Sequence, residues 1–343
     1  MNRTSRYKPG LAWFAALGGA WVFVLVSLGA YTTTIGAGMA FPDWPLSNGS
    51  VNPHGWLTEI DKFAEHSHRI SATVMGLISI ALAIWLALTE SRAWLRKLGW
   101  AVVGLVILQG VVGGLRVLCD HYEINMVNTS LGRLFAMLHA VLAQAFVCAL
   151  LTVAVACSRA WIEQEGGWTG PATLRLRRLG RVCMALLFLQ LGIAAVVRHS
   201  FAGLAIPTFP FSSSDGALLP PEWSFPVAIQ FAHRAMAGLI AIGVVIYGHF
   251  LWRETAAPAP LRASGVLLLA LVAGQITLGA EIIWTGRSIY VTTGHVLLGA
   301  LTLATTYLVT MWVHRGWDAM SVPAEPPGMD TASSSLRLHP SER

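Results

Sequence analysis

The chain has 343 residues, of which 55% are hydrophobic and only 12% charged, with a mean hydropathy of +0.60. A soluble domain carries about 25% charged residues, so a water-soluble fold is excluded and lipid is the expected solvent. The net charge of +6 does not indicate nucleic-acid binding, because the basic residues gather in alternate loops between apolar runs.

Those runs approach the roughly 20 residues needed to span a bilayer. They predict helices at 11–32, 69–89, 98–118, 133–157, 179–198, 226–251, 263–284 and 290–313. The first follows Arg3, Arg6 and Lys8. It is long enough to span and has no A-x-A cleavage site after it, so it reads as a helix and not as a removed signal. The segment 33–67 then leads through Pro42-Asp43-Trp44-Pro45 to His68-Arg69 and the second helix. Arg92, Arg96 and Lys97 precede the third helix, the loop 119–132 follows it, and His139 lies early in the fourth. Residues 158–178 form a linker that carries Arg175, Arg177 and Arg178, with Arg181 just beyond it. The fifth helix ends at Arg198-His199, and His233-Arg234 opens the sixth after the loop 199–225. Arg253 and Arg262 come next, then the seventh helix, the short loop 285–289 and the eighth helix with His295 near its start. The tail 316–343 contains Pro, Ser and Glu without an apolar period and is expected to be disordered.

Lys and Arg mark the cytoplasmic side. Both termini are therefore expected there, and the loops 33–67, 119–132, 199–225 and 285–289 should face outward, in a bacterial cell membrane. Cys119, Cys148, Cys157 and Cys183 show no metal-ligand spacing, and with only Cys119 near the outer face no disulfide is expected.

An internal repeat sets the architecture. Ala-Gly-Met-Ala-Phe-Pro-Asp-Trp-Pro at 37–45 matches Ala-Gly-Leu-Ala-Ile-Pro-Thr-Phe-Pro at 202–210, an offset of 165. His68-Arg69 and His233-Arg234 keep that offset. Gln109 and Gln275, each four residues before Gly113 and Gly279, stand 166 apart, and His139 and His295 stand 156 apart. The ten-residue change is the longer loop 119–130 of the first half. The expected fold is all-α and membrane-embedded, with eight spans forming two tandem, pseudo-symmetric four-helix bundles related by an axis along the membrane normal. The divisions are 1–157, the linker 158–178, 179–315 and the tail.

Ionisable residues inside a membrane are costly and mark function. A lone histidine is commonly satisfied by a neighbouring helix. Four histidines placed pairwise by a repeat are better read as ligands. His68 with His139, and His233 with His295, come from the second and fourth helices of each half, where two imidazoles can bind one haem iron from both sides. Zinc would need further ligands at matching depth, and none recurs. His66 points away from His68; His54 and His121 lie in loops, His249 and His314 near the other face, and His339 in the tail. The glycines around Gln109 and Gln275 allow close helix packing or leave room for a flat macrocycle.

The halves differ three residues before the ligand pair, where the first has Glu65 and the second Gln230. Positions i and i+3 share a helix face, so Glu65 should lie beside His68. A carboxylate can exchange protons and an amide cannot; the structural alternative is a solvated carboxylate at a helix N-terminus. Arg69, Arg116, Arg198, Arg234 and Arg287, with His199, line the expected outer side. Arg grips carboxylates such as haem propionates, and adjacency to the ligands favours Arg69 and Arg234, then Arg198.

On Glu65, His68-Arg69, His139, Arg198-His199, the loop Gly203-Leu204-Ala205, His233-Arg234, His295 and Pro42-Asp43-Trp44-Pro45, the chain resembles the haem A synthase family over residues 11–313. The resemblance implies oxidation of the haem O methyl group to the formyl of haem A, with Glu65 as the catalytic carboxylate. It implies substrate haem between His68 and His139, and haem b as cofactor between His233 and His295. It also implies haem O synthase and the cytochrome oxidase assembly apparatus as partners in the membrane, no nucleic acid, and room for a homo-oligomer. Many bacterial relatives carry cysteine pairs in the first and third outer loops. The matching positions here are Phe41 and Ser47, then Ile206 and Ser212, so any thiol-dependent step is absent or handled differently. Two other readings fit the residues less well. A non-catalytic di-haem b-type cytochrome leaves the Glu65/Gln230 difference without a purpose. A transporter would place its polar groups nearer the bilayer midplane.

Overall fold

Lipid offers no partner to backbone N–H and C=O groups, so a chain this apolar must satisfy them within helices. The computed structural model describes residues 3–127, 129–163 and 173–318. Among these, eight helices are long and apolar enough to cross a membrane, which makes this a multi-pass membrane protein. They are α1 (Pro9–Thr34), α2 (Ile60–Thr89), α3 (Ala93–Leu118) and α4 (Leu131–Cys157). After the short α5 (Arg159–Glu163) come α6 (Thr173–His199), α7 (Phe225–Arg253), α8 (Ala259–Trp284) and α9 (Ile289–Asp318).

In the first half, α1 packs on α2 and α4, while α3 packs on α2 and α4, closing a four-helix ring. In the second, α6 and α8 each pack on α7 and α9 in the same way. The rings meet where α1 packs on α9 and α4 packs on α6 and α9. Leu82, Leu86 and Leu150 lie in one apolar core; Tyr247, Leu251 and Leu268 lie in the other. Buried positions keep the register of the repeat: Ala15 with Gly180, Met75 with Ile240, Gly99 with Gly265, and Val153 with Val309.

The two helix starts that differ most from expectation do so for one reason. Hydropathy reports only the part of a helix that lies in lipid, and a helix can continue past it. Thus α2 begins at Ile60 instead of 69, with exposed Asp61 in its first turn, which puts His68 two turns inside the helix. Likewise α6 begins at Thr173, so the end of the expected linker is helical and Arg175, Arg177 and Arg178 ride on its first turns. Residues 164–172 of the linker lie outside the described residues. So does the expected disordered tail beyond 318, and α9 takes up its first residues. In the loop 119–132, Glu123–Ile124 pairs antiparallel with Thr129–Ser130. The four cysteines are free thiols.

At the end of α2 away from His68, Glu90 is 1% exposed and ion-paired with Arg92 at 2.9 Å and Lys8 at 3.8 Å. Arg92 also donates to the Ala156 carbonyl of α4 at 3.0 Å. Burial works to raise the Glu90 pKa, but hydrogen bonds from Arg92 outweigh it and hold the carboxyl below its ordinary value. A depressed folded-state pKa contributes stability above the ordinary carboxylate pKa and loses it as pH falls through the lowered value. Glu90→Gln should therefore cost about 3 kcal/mol near neutral pH, measured by thermal unfolding in detergent, and the gap to wild type should close below about pH 4.

Candidate functional site

Each histidine pair spans its ring diagonally, α2 to α4 and α7 to α9. Pro226 lies in the first turn of α7, where its fixed φ suits a helix start. Ser130 caps α4, accepting from Arg133 N at 3.1 Å while its hydroxyl bonds Asp120 at 2.8 Å. These starts fix how far down each helix its histidine stands.

The ring centres of His233 and His295 are 6.4 Å apart, with planes inclined at 59°. Iron bonded to two imidazoles at about 2 Å each, with roughly 1 Å more to each ring centre, requires roughly 6 Å. His68 and His139 are near enough to interact electrostatically. In all four histidines Nδ1 is buried and has no hydrogen-bond partner among the described residues, although buried polar atoms are normally satisfied. Three rings rest on glycine. A Cβ on Gly29 would stand 2.8 Å from Cε1 of His68, one on Gly113 3.2 Å from that of His139, and one on Gly279 3.4 Å from that of His295. The His233–His295 spacing fits a bis-histidine macrocycle, and His68 and His139 share its orphaned Nδ1 atoms and glycine seats.

The loops above the histidines are held by a matching network in each half. Glu65, 4% exposed, accepts from the Phe41 N–H at 3.1 Å and pairs with Arg69 at 2.6 Å. Arg69 also donates to the carbonyls of Asp43 at 2.9 Å and Leu46 at 2.6 Å. At an offset of 165, Gln230 accepts from the Ile206 N–H and donates to the Gly203 carbonyl at 2.7 Å. Arg234 donates to the Ile206 carbonyl at 2.9 Å and the Phe211 carbonyl at 3.4 Å. Asp43 braces the first loop by accepting from the N–H groups of Asn48 and Gly49, both at 2.7 Å. Burial would raise its pKa, but these bonds and the Arg69 charge hold it below the usual value.

Phe41, Ser47, Ile206 and Ser212, where the resemblance led one to look for cysteines, are all buried. Phe41 lies under Arg69, with the guanidinium 5.6 Å from the ring centre, and Ser47 Oγ lies 3.2 Å from His66 Nδ1.

Of the cations singled out in the sequence, Arg69 and Arg234 are thus engaged by their own loops. Arg198 crosses to the other bundle, donating to the Ala30 carbonyl at 2.7 Å and Thr34 Oγ1 at 2.8 Å. Arg287 lies in the exposed turn after α8 with φ 72°. Arg116 stands apart. It bonds the Gly38 carbonyl and lies within electrostatic reach of His68, His139 and Glu65. His199 is in reach of His139, Arg116 and Arg133. The signal for Arg116 was available: Gln109, Gly113 and Arg116 fall at i, i+4 and i+7, one helix stripe.

The described helices thus form an eight-span membrane bundle with one diagonal histidine pair in each ring. The chain belongs to the cytochrome oxidase assembly protein family COX15-CtaA, whose model matches residues 12–307. Similar curated proteins include a "Heme A synthase" of Symbiobacterium thermophilum, 31% identical over 76% of this chain and 81% of that one. Another, from Geobacillus kaustophilus, is 27% identical over 84% of this chain and 86% of its own length. A third, from Methylobacterium radiotolerans, is 25% identical over 90% and 91%.

Proposed function

We propose that this protein is a haem A synthase, an oxidoreductase that converts the methyl group of haem O to the formyl group of haem A. The observation that carries the reading is an asymmetry within a repeated site: two histidine pairs under matching loops, with a buried carboxylate one turn before His68 and an amide one turn before His233. The naming of the relatives supports it. Haem O is assigned to His68 and His139 and haem b to His233 and His295, in bundles 1–157 and 179–315 joined by 158–178. Both termini are placed in the cytoplasm of a bacterium, with the site near the outer face of the inner membrane.

Haem b would supply one-electron redox chemistry. The chain's own residues do the rest. With water as the source of the formyl oxygen, oxidising a methyl to a formyl releases four electrons, which pass to an external one-electron acceptor, and four protons. Glu65 is the proton-exchanging group at the substrate site, its carboxylate held in place by Phe41 N–H and Arg69. The Phe41–Ser47 loop closes over Glu65 and keeps bulk water out. Arg116 is the cation best placed to meet a propionate at the first site. Arg116 is held by one loop carbonyl, Gly38, whereas Arg69, Arg234 and Arg198 would have to give up two or more bonds each to do the same.

Gly29 gives this assignment a local test. Gly29→Leu is expected to displace the His68 ring and weaken haem O binding by more than about 10-fold, leaving the haem b spectrum unchanged. Haem titration followed by absorbance checks it.

The function itself is tested by co-expression with a haem O synthase in a host lacking haem A, with extracted haems analysed by mass. Haem A, or a hydroxylated precursor, is the expected product. Recovery of haem B and unchanged haem O alone would overturn the reading in favour of an electron-transfer cytochrome.

A further inference from the structure

Three of the four histidines have their backbone carbonyl tied to a neighbouring helix by a glutamine amide. Gln109 Nε2 of α3 donates to the His139 carbonyl at 3.2 Å, Gln275 of α8 to that of His295 at 2.7 Å, and Gln190 of α6 to that of His233 at 3.0 Å. Each bond crosses a helix pair and lands on the residue that carries the imidazole. The backbone of that residue, beyond its own helical hydrogen bond, is thereby fixed to the bundle.

Among the described residues the fourth tie is missing. At the repeat offset of 165, the counterpart of Gln190 is Leu25. The alignment is firm here because buried Ala15, Val22 and Ala30 of α1 match buried Gly180, Leu187 and Ala195 of α6. Leu25 has no side-chain amide to offer. The side-chain bonds from α1 to α2 fall on either side of His68. Thr32 donates to the Ala64 carbonyl at 3.0 Å, and Trp21 Nε1 to the Ser71 carbonyl at 3.2 Å.

We infer that the glutamine ties set how tightly each site keeps its haem. Gln190 is a positioning residue that makes the His233 site a permanent one, and Leu25 leaves His68 free to give way when substrate enters and product leaves. The inference rests on the assignment of substrate haem to the first site and haem b to the second. It explains a difference that the ligand sets alone do not, since both sites present the same two imidazoles. A purely structural role for Gln190 predicts lower overall stability with no site-specific change in haem release.

The test is haem release from the purified full chain, carrying haem b and loaded with haem O, followed by transfer to excess apomyoglobin. The two haems are distinguished by their mass after separation. Gln190→Leu is expected to speed haem b release about 5-fold, the effect of one buried hydrogen bond, with haem O release unchanged. Leu25→Gln, which adds the missing amide, should slow haem O release by a similar factor and leave haem b alone. Gln190→Met serves if the leucine variant folds poorly, because it keeps the length of the side chain without its donor. Unchanged release rates in variants that hold both haems would overturn the inference while leaving the site assignment intact. A wild-type chain that holds no haem O would instead overturn the assignment on which it rests.

Discussion

His68→Ala and His139→Ala are each expected to reduce haem A formation by more than about 100-fold while the haem bound at His233 and His295 keeps its low-spin spectrum. Substitution of groups that merely support a metal ligand costs 10–100-fold, and loss of the ligand itself should exceed that. His233→Ala should show the converse in binding, with the permanent haem lost and haem O still taken up. The separation is expected because the pairs lie in different four-helix rings, each closed by its own helix contacts. Absorbance spectra of the purified variants, together with extracted haem content, measure both halves of the result.

Glu65→Gln is the second large effect, and the structure makes it an unusually clean substitution. Gln230 already shows an amide doing the structural part of the work, accepting from the Ile206 N–H as Glu65 accepts from the Phe41 N–H. The glutamine variant should therefore keep the Phe41–Ser47 loop closed and still bind haem O. It should turn over at least about 100-fold more slowly, the low end of the contribution of a general acid–base group. Both substitutions remove the negative partner of Arg69, but glutamine keeps an oxygen that can still accept from Arg69 and from the Phe41 N–H, whereas alanine removes the loop anchor as well. Breaking a buried pair outright costs about 3–5 kcal/mol, so the alanine variant should lose haem O binding and stability together. Turnover and thermal unfolding of the two variants, compared side by side, separate the chemical role from the structural one. Equal losses of both in the glutamine variant would make Glu65 a loop anchor only.

Much of the fold could be read from the sequence because lipid imposes a simple rule. Apolar runs mark spans, and the basic loops between them separate one face from the other. The repeat singled out four positions among eleven histidines that composition alone could not rank, and the structure brings two of these, His233 and His295, within 6.4 Å of each other. The early start of α2 was not legible, since Ile60–Ser67 is too polar to register as a span even though it is helical. The work of the arginines was hidden for a different reason. Arg69 reaches carbonyls 23 and 26 residues away, and Arg198 reaches a carbonyl 168 residues away in the other bundle. Adjacency to a ligand in sequence carries no information about such contacts. The role of Gln190 was invisible for the same reason, as its partner lies 43 residues on. Arg116 is the opposite case, since its stripe with Gln109 and Gly113 was present in the sequence.

The two bundles are proposed to divide the labour, with one haem transformed at His68 and His139 and the other retained at His233 and His295. The most direct test of this division is a single-turnover experiment in air on the purified chain carrying haem b and loaded with one equivalent of haem O. An excess of a chemical one-electron acceptor takes up the electrons released, and haems are extracted over time and weighed. The account predicts that haem O is converted, at most one per chain, while haem b is recovered unchanged, and that His68→Ala abolishes conversion with haem b still in place. Recovery of both haems unchanged from the wild type, or conversion that persists in His68→Ala, would contradict it.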